Sequence, residues 1–412
     1  MAGERPRFEV AEVVRAHGDA YRRAHRPSAA QDRVLSHIAA CRTAVLGGHV
    51  DACDDGCGFA RISYNSCRDR HCPKCQGPRR AEWLAKRLER LLPVPYFHVV
   101  FTLPDGLNPL ALRNKRALYN IMFEAASKAL LELAQDPKRL GAQVGVTAVL
   151  HTWGQNLLLH PHLHCVVTGG GLSADGSRWV AGRERYFLPV KVLGKLFRGK
   201  FLSLLDRAYK DGKLELSGST AELADPFVWA GLRDRLYLKN WVVYAKAPFG
   251  GAEQVFRYLG NYTHRVAISN HRIVGIEDGT VTFTVKDYKD GAKRKLLKLE
   301  AVEFLRRFLL HVLPKGLVRI RHYGLCAARN VHTRLAVARQ HLAPDEPPAE
   351  RRAAGPTTVA PVSWWERFLE HTGLDMMACP CCGGRLVRQR TLPAEPTSPH
   401  IASPARAPPV AA

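Results

Sequence analysis

The sequence predicts an α+β protein in which antiparallel strands alternate with amphipathic helices, behind a small cysteine-rich module. Three observations predict it. Strand-like runs bounded by turn residues, such as Tyr96 to Leu103 and HCVV at 164–167, recur along the chain. Helical apolar spacing runs through 28–46, about 112–134 and AVEFLRRFLLHVL at 301–313. Six of the eleven cysteines fall between residues 41 and 75.

Taken in order, Val34, Leu35 and Ile38 share one face of a helix over 28–46 that leads into the cysteine module. A basic helix at about 78–92 joins the module to the strand from Tyr96. A helix over 112–134, a strand at VGVTAVLHTW (144–153), a turn and the strand HPHLHCVV (160–167) follow, the last two strands forming a hairpin. After a less regular middle come the strand WVVYAKAP and the helical stretch EQVFRYLGNYTHRV. HRIVGIEDGTVTFTVKD then makes a hairpin turning at Asp278 and Gly279, and the helix from Ala301 stops before Pro314. The expected division is 1–92, N-terminal helix and metal-binding module; 93–340, main domain; 341–362, a Pro-, Ala- and Arg-rich linker; 363–390, a cysteine-containing segment; and 391–412, a disordered tail.

Sixty-one Lys and Arg against 37 Asp and Glu give a formal charge of +24 and a pI near 9.9, a balance suited to a polyanion such as DNA or RNA. RDRHCPKCQGPRRAEWLAKRLER and KDYKDGAKRKLLK concentrate that charge, as phosphate contacts require. No apolar run has membrane-spanning length and no secretory n- and h-region opens the chain, so a cytoplasmic location is expected.

Clustered cysteine pairs in such a chain indicate metal rather than disulfides. Cys53, Cys57, Cys72 and Cys75 form two close pairs across a short hairpin-like stretch, the pattern of a tetrathiolate zinc site. Zinc would hold together a segment with few apolar residues of its own. Cys41, His49, Cys67 and His71 are left over for a second site. Cys379 and Cys382 form half of a further zinc knuckle, and Cys381 could replace either.

Histidines 160, 162 and 164 occupy three of five positions. In a strand His162, His164 and Val166 face one way, and Leu163, Cys165 and Val167 the other. Imidazoles at i and i+2 lie roughly 6 to 7 Å apart along a strand, so two can converge on one divalent cation. Tyr258 and Tyr262, four apart in RYLGNYTHR, share a helix face among Arg257, Asn261, His264 and Arg265, a poor core environment. A tyrosine can attack a phosphodiester and store its energy as a phosphotyrosine, if a cation stabilises the phosphoryl oxygens.

With CRTAVLGGH, YNSCRDRHCPKC, HPHLHCVV and RYLGNYTHRVAISNHRI, the chain from about residue 30 to 390 resembles the two-tyrosine HUH rolling-circle transposases of the IS91 type. The first cysteine pair departs from the resemblance, with three intervening residues where two are expected. The resemblance implies a zinc-binding N-terminal domain with structural Zn²⁺ and an RRM-like HUH nuclease core, an antiparallel sheet with flanking helices. It further implies action on single-stranded DNA at element ends and on target DNA with Mg²⁺ or Mn²⁺. His162 and His164 become metal ligands, and Tyr258 and Tyr262 nucleophiles that form a 5′-phosphotyrosine. Gln155 is the expected third ligand, ahead of Asn156, His160 and His264. Lys246, Arg257 and Arg265 are the expected DNA contacts. A replication initiator or relaxase with the same residues, and a zinc-dependent DNA-binding protein without chemistry, are the competing readings.

Overall fold

The protein is described by a computed structural model covering residues 6–75, 83, 87, 90–183, 188–246, 266–287, 290–343, 366, 369 and 375–395. Within those residues the α+β prediction holds. The helices are α1 (Val10–His25), α2 (Ala29–Ala40), α3 (Asn108–Arg113), α4 (Lys115–Gln135), α5 (Val190–Lys210), α6 (Pro226–Leu238), α7 (Ala301–Leu310) and α8 (Arg334–Leu342). The strands are β1 (Gly48–Cys53), β2 (Ala60–Tyr64), β3 (Tyr96–Thr102), β4 (Ala142–Trp153), β5 (Leu159–Ser173), β6 (Trp179–Ala181), β7 (Val243–Lys246), β8 (Ile273–Glu277), β9 (Thr280–Asp287), β10 (Lys293–Glu300), β11 (Ile320–Gly324) and β12 (Leu386–Leu392).

The largest sheet runs β11-β4-β5-β3-β7, with β6 paired to β5, and every pairing is antiparallel. The histidine strand β5 therefore lies between β3 and β4. Period-two alternation gives this sheet two unlike faces. Val99, Phe101, Leu150, Leu163, Cys165 and Val167 point to a core closed by α4 and α5, in which Phe123, Phe197 and Phe201 are wholly buried. Each such aromatic ring contributes about 1.5 to 3 kcal/mol by leaving water. The opposite face carries the polar groups.

The middle of the chain is more regular than its sequence suggested. Leu193, Phe197, Phe201, Leu205 and Ala208 repeat at helical spacing and bury one side of α5. Asp225 caps α6 by accepting from Phe227 N at 2.7 Å, with Pro226 in the first turn. Gly194 and Gly199 interrupt the α5 pattern and lower its propensity, yet packing against α4 outweighs that cost.

A second core brings together α1, α2, α7, the sheet β10-β9-β8 and the buried Cys41, Cys72 and Cys75. Ser28 and Gln31 form a reciprocal cap at the start of α2. The β8–β9 hairpin turns at Asp278 (φ 47°) and Gly279 (φ 71°), as predicted; two consecutive left-handed residues are what a tight hairpin with right-handed strand twist needs. A third sheet runs β12-β1-β2, so a strand near the end of the chain pairs with the cysteine module.

The tip of the β4–β5 hairpin joins the two main cores. Leu157, in the left-handed region at φ 64°, is fully buried in the second core. Its carbonyl accepts from His311 Nε2 at 3.0 Å, while the carbonyls of Gln155 and Asn156 accept from Arg272 (2.5 Å) and Arg307 (3.2 Å). The strands that carry the histidines are thereby fixed at their turn as well as along their length.

Candidate metal centres on the histidine face and in the cysteine module

Strand register builds the histidine site. His162 on β5 stands directly opposite His151 on β4, and directly opposite residues in an antiparallel pair project to the same face. His164 lies two residues further along that face. One nitrogen from each of His151, His162 and His164 lies within 4.8 Å of the others, close enough to share a cation. His151 is 2 % exposed, and its ring stacks on Trp153 at 4.5 Å between centroids.

Hydrogen bonds orient the rings. His162 Nδ1 donates to the His160 carbonyl at 2.7 Å, which leaves Nε2 with the lone pair a metal requires. His164 Nδ1 lies 2.8 Å from His98 Nε2. Burial pushes His162 and His98 down to about 4 and His164 well below the usual histidine range, so these imidazoles are neutral at physiological pH. Neutral imidazoles are ligands that protons do not occupy.

The sequence points to Gln155 as the third ligand, and the structure offers a histidine at that place. Gln155 sits in the hairpin turn with its carbonyl engaged by Arg272, whereas the register brings His151 to the pair. Asn156 lies in the same turn, its side-chain oxygen accepting from Leu158 N at 3.2 Å. His160 is beside the site, its ring 5.2 Å from that of His162. The signal for His151 was present: once 144–153 and the histidine strand are read as a hairpin, the residues flanking the turn face each other in pairs.

Two further histidines on this face escaped the sequence reading. His98 faces Lys246 across β3 and β7. His322 on β11 stands opposite Thr147, donates from Nδ1 to its hydroxyl at 3.0 Å and accepts from Arg87 at Nε2, also 3.0 Å. Burial, then the charge of Arg87, pushes His322 down to about 4. Lys246, an expected DNA contact, ends the edge strand β7 exposed on the same face as the histidines. Tyr258, Tyr262, Arg257, His264 and Arg265 lie outside the described residues.

The cysteines gather differently from their expected pairing. Cys41, Cys67, Cys72 and Cys75 form one cluster, and Cys53, Cys57, Cys379 and Cys382 another, each with all sulfurs within 4.8 Å. The expected set Cys53, Cys57, Cys72 and Cys75 is thus divided between two clusters. Cys53 ends β1 and Cys57 follows in the turn to β2, while Cys72 and Cys75 sit beneath α2. His49 and His71 are not cysteine partners. His71 Nδ1 donates to Asp69 (2.9 Å) and Nε2 accepts from Leu313 N (3.2 Å), so both ring nitrogens serve the fold. His49 lies on β1, with Nε2 3.4 Å from Asp51.

In the first cluster Cys41 Sγ and Cys67 Sγ lie 3.4 and 3.6 Å from Cys75 Sγ, near the edge of about 3.8 Å that a tetrahedron of 2.3 Å zinc–sulfur bonds requires. Hydrogen bonds among the four thiols hold Cys41 down to about 7 and lower Cys75, and raise Cys67 and Cys72, so the cluster shares its protons unequally. Thiolate is the ligating form.

Comparisons with known proteins carry this further. Residues 145–334 match a family model described as "Putative transposase", and residues 13–103 match one described as "Transposase zinc-binding domain". The class is therefore a DNA transposase, a DNA-processing enzyme with its own zinc-binding domain. The chain is 50 % identical over 376 residues to the "Putative transposase y4qJ" of Sinorhizobium fredii, covering 91 % of this chain and 92 % of that one. It is 28 % identical over 362 residues to the "Transposase for insertion sequence element IS801" of Pseudomonas savastanoi pv. phaseolicola, covering 86 % and 82 %. The chain belongs to the IS91 family of transposases. Among solved structures, the conjugative relaxase TrwC in complex with oriT DNA aligns with 40 % of this chain and 71 % of its own, at 13 % identity and a TM-score of 0.22.

Proposed function

We propose that this transposase cuts single-stranded DNA at the ends of its element through a 5′-phosphotyrosine and carries out rolling-circle transposition. The observation that carries the reading is the convergence of His151, His162 and His164 on one face of a sheet bound firmly on its other side. Three neutral imidazoles suit a divalent transition metal, and of Mn²⁺ and Mg²⁺ the nitrogen donors fit Mn²⁺ better. Bound there, the cation would supply charge stabilisation to a phosphodiester's non-bridging oxygens.

Tyr258 and Tyr262 are the proposed nucleophiles. A tyrosine oxygen attacks phosphorus, the bond from phosphorus to the 3′ oxygen breaks, and the DNA leaves with a free 3′-OH while the 5′ phosphate stays on the protein. Reversal by a 3′-OH of another strand rejoins DNA without a nucleotide cofactor, and a second tyrosine allows a second end to be held. Lys246, Arg257 and Arg265 would contact the phosphates. The working division of labour keeps residues 93–340 as the catalytic domain behind a zinc-binding domain within 1–92.

The test incubates labelled single-stranded DNA carrying the element's terminus with Mn²⁺ and protein, then resolves products under denaturing conditions. The wild type should form a protein-linked 5′ end and a free 3′-OH. The adduct should vanish in His162→Ala/His164→Ala and in Tyr258→Phe/Tyr262→Phe. An adduct that survives the double tyrosine variant, or its absence from the wild type with any divalent metal while DNA still binds, would overturn the mechanism.

A further inference from the structure

Only half of the second cysteine cluster lies in the segment that matches the transposase zinc-binding domain. Cys53 and Cys57 fall within residues 13–103, whereas Cys379 and Cys382 lie beyond both matched segments. Cys53 Sγ is 3.4 Å from Cys382 Sγ, 329 residues away in sequence, and Cys57 Sγ is 3.6 Å from Cys379 Sγ, 322 residues away. These separations exceed a disulfide bond of about 2.05 Å and approach the edge of a tetrathiolate site.

The surroundings are built for such a site. Strand β12 pairs with β1 from Gly48 opposite Leu392 to Cys53 opposite Leu386, and Asp54 N donates to the Arg385 carbonyl at 2.9 Å. In the C-terminal turn the amides of Cys381 and Gly384 donate to the sulfurs of Cys379 and Cys382, each at 3.4 Å, as amides around ligated thiolates do. Gly384 passes so close to Asp55 that a Cβ there would meet the carboxyl carbon at 2.6 Å; the two cysteine turns are seated directly on each other. Cys381, beside them, is exposed and outside the set.

From this geometry we infer that Cys53, Cys57, Cys379 and Cys382 bind a Zn²⁺ ion of their own, a second zinc centre shared by the two ends of the chain that clasps the C-terminal segment onto the N-terminal module. The soft thiolate set selects Zn²⁺ over Mg²⁺ or Mn²⁺, and binding displaces the thiol protons to solvent. Cys57 and Cys382 are exposed, whereas Cys41, Cys72 and Cys75 are buried. The shared centre therefore yields its metal to a chelator before the buried one does.

Metal content of the full-length protein, loaded with Zn²⁺ and dialysed, tests this. Cys381→Ser should hold as much zinc as the wild type, and Cys379→Ser/Cys382→Ser one equivalent less, whatever the other sites take up. A double variant that retains as many equivalents as the wild type would overturn the assignment, as would alkylation and mass spectrometry showing the four cysteines as disulfides. A second measurement does not depend on the variant folding. With a specific protease sequence placed within residues 351–362 of the otherwise intact chain, the cut C-terminal fragment should stay attached while zinc is present and separate once a chelator has removed it. Separation with zinc still bound, or attachment after its removal, would overturn the clasp. Neither measurement involves DNA cleavage, so neither depends on the nuclease reading.

Discussion

His98 Nε2 lies 2.8 Å from His164 Nδ1, with the two rings stacked at 5.0 Å between centroids. For His164 to present Nε2 to a cation, its Nδ1 must carry the proton and donate it to His98. His98 is thus a positioning residue for the proposed ligand. His98→Ala should weaken Mn²⁺ binding by about 10- to 100-fold, the usual effect of losing such a partner, while His98→Gln retains an acceptor and most of the affinity. Calorimetric titration would decide it; equal affinity in all three proteins would remove the role.

The register brings His151 to His162 and His164, and His151 in place of Gln155 is the third ligand we propose. His151→Ala should abolish stoichiometric Mn²⁺ binding measured by electron paramagnetic resonance, and Gln155→Ala should leave it within about twofold, since the turn is anchored by that residue's carbonyl, which alanine keeps. Loss of binding in Gln155→Ala alone would reverse the assignment.

His311 sets a pH limit on stability. It is wholly buried, accepts from the Thr152 hydroxyl at 3.1 Å, donates to the Leu157 carbonyl, and burial pushes it down to about 3. A depressed histidine favours the fold above its unfolded value of about 6.5, and that contribution is lost as pH falls from 6.5 towards 3. At pH 5 the loss is about 2 kcal/mol from this residue. His98 and His322, also lowered, add in the same direction. Denaturant titrations at pH 7.5 and pH 5 should show His311→Gln losing about 2 kcal/mol less than wild type over that interval; identical losses would rule His311 out as the cause.

Leu157→Ala should cost about 2 to 5 kcal/mol, because it empties a fully buried position in the second core at the tip of the histidine hairpin. Thermal unfolding would register it. A cost below about 1 kcal/mol would mean the hairpin tip does not join the two cores.

If Lys246 contacts a phosphate, Lys246→Ala should weaken single-stranded DNA binding and make the plot of log affinity against log salt shallower by about 0.7, the contribution of one released counterion. An unchanged slope would take Lys246 off the DNA path.

Much of the site was legible because local pattern carries it. The alternation of HPHLHCVV placed His162 and His164 on one face, and the strand expected at 96–103 and the turn at Asp278–Gly279 came from residue types with narrow backbone preferences. What remained hidden depends on pairings between distant segments. His98 and His322 reach the histidine face only through the pairing of β3 with β5 and of β11 with β4. The cysteine spacing announced metal correctly, but adjacency in sequence suggested the wrong partners for Cys53 and Cys57, whose neighbours are supplied by β12. α5 was overlooked because its stripe of large side chains is broken by glycines that tertiary packing tolerates.

The pairing of β1 with β12 also orders events during synthesis. At about 5 to 20 residues per second, the 322 positions between Cys57 and Cys379 take the ribosome roughly 15 to 65 s to add. Throughout that interval the first-made strand waits with one edge unmatched, long after the histidine hairpin has emerged. A message broken before the codons of β12 therefore yields a chain in which that edge of β1 is never covered.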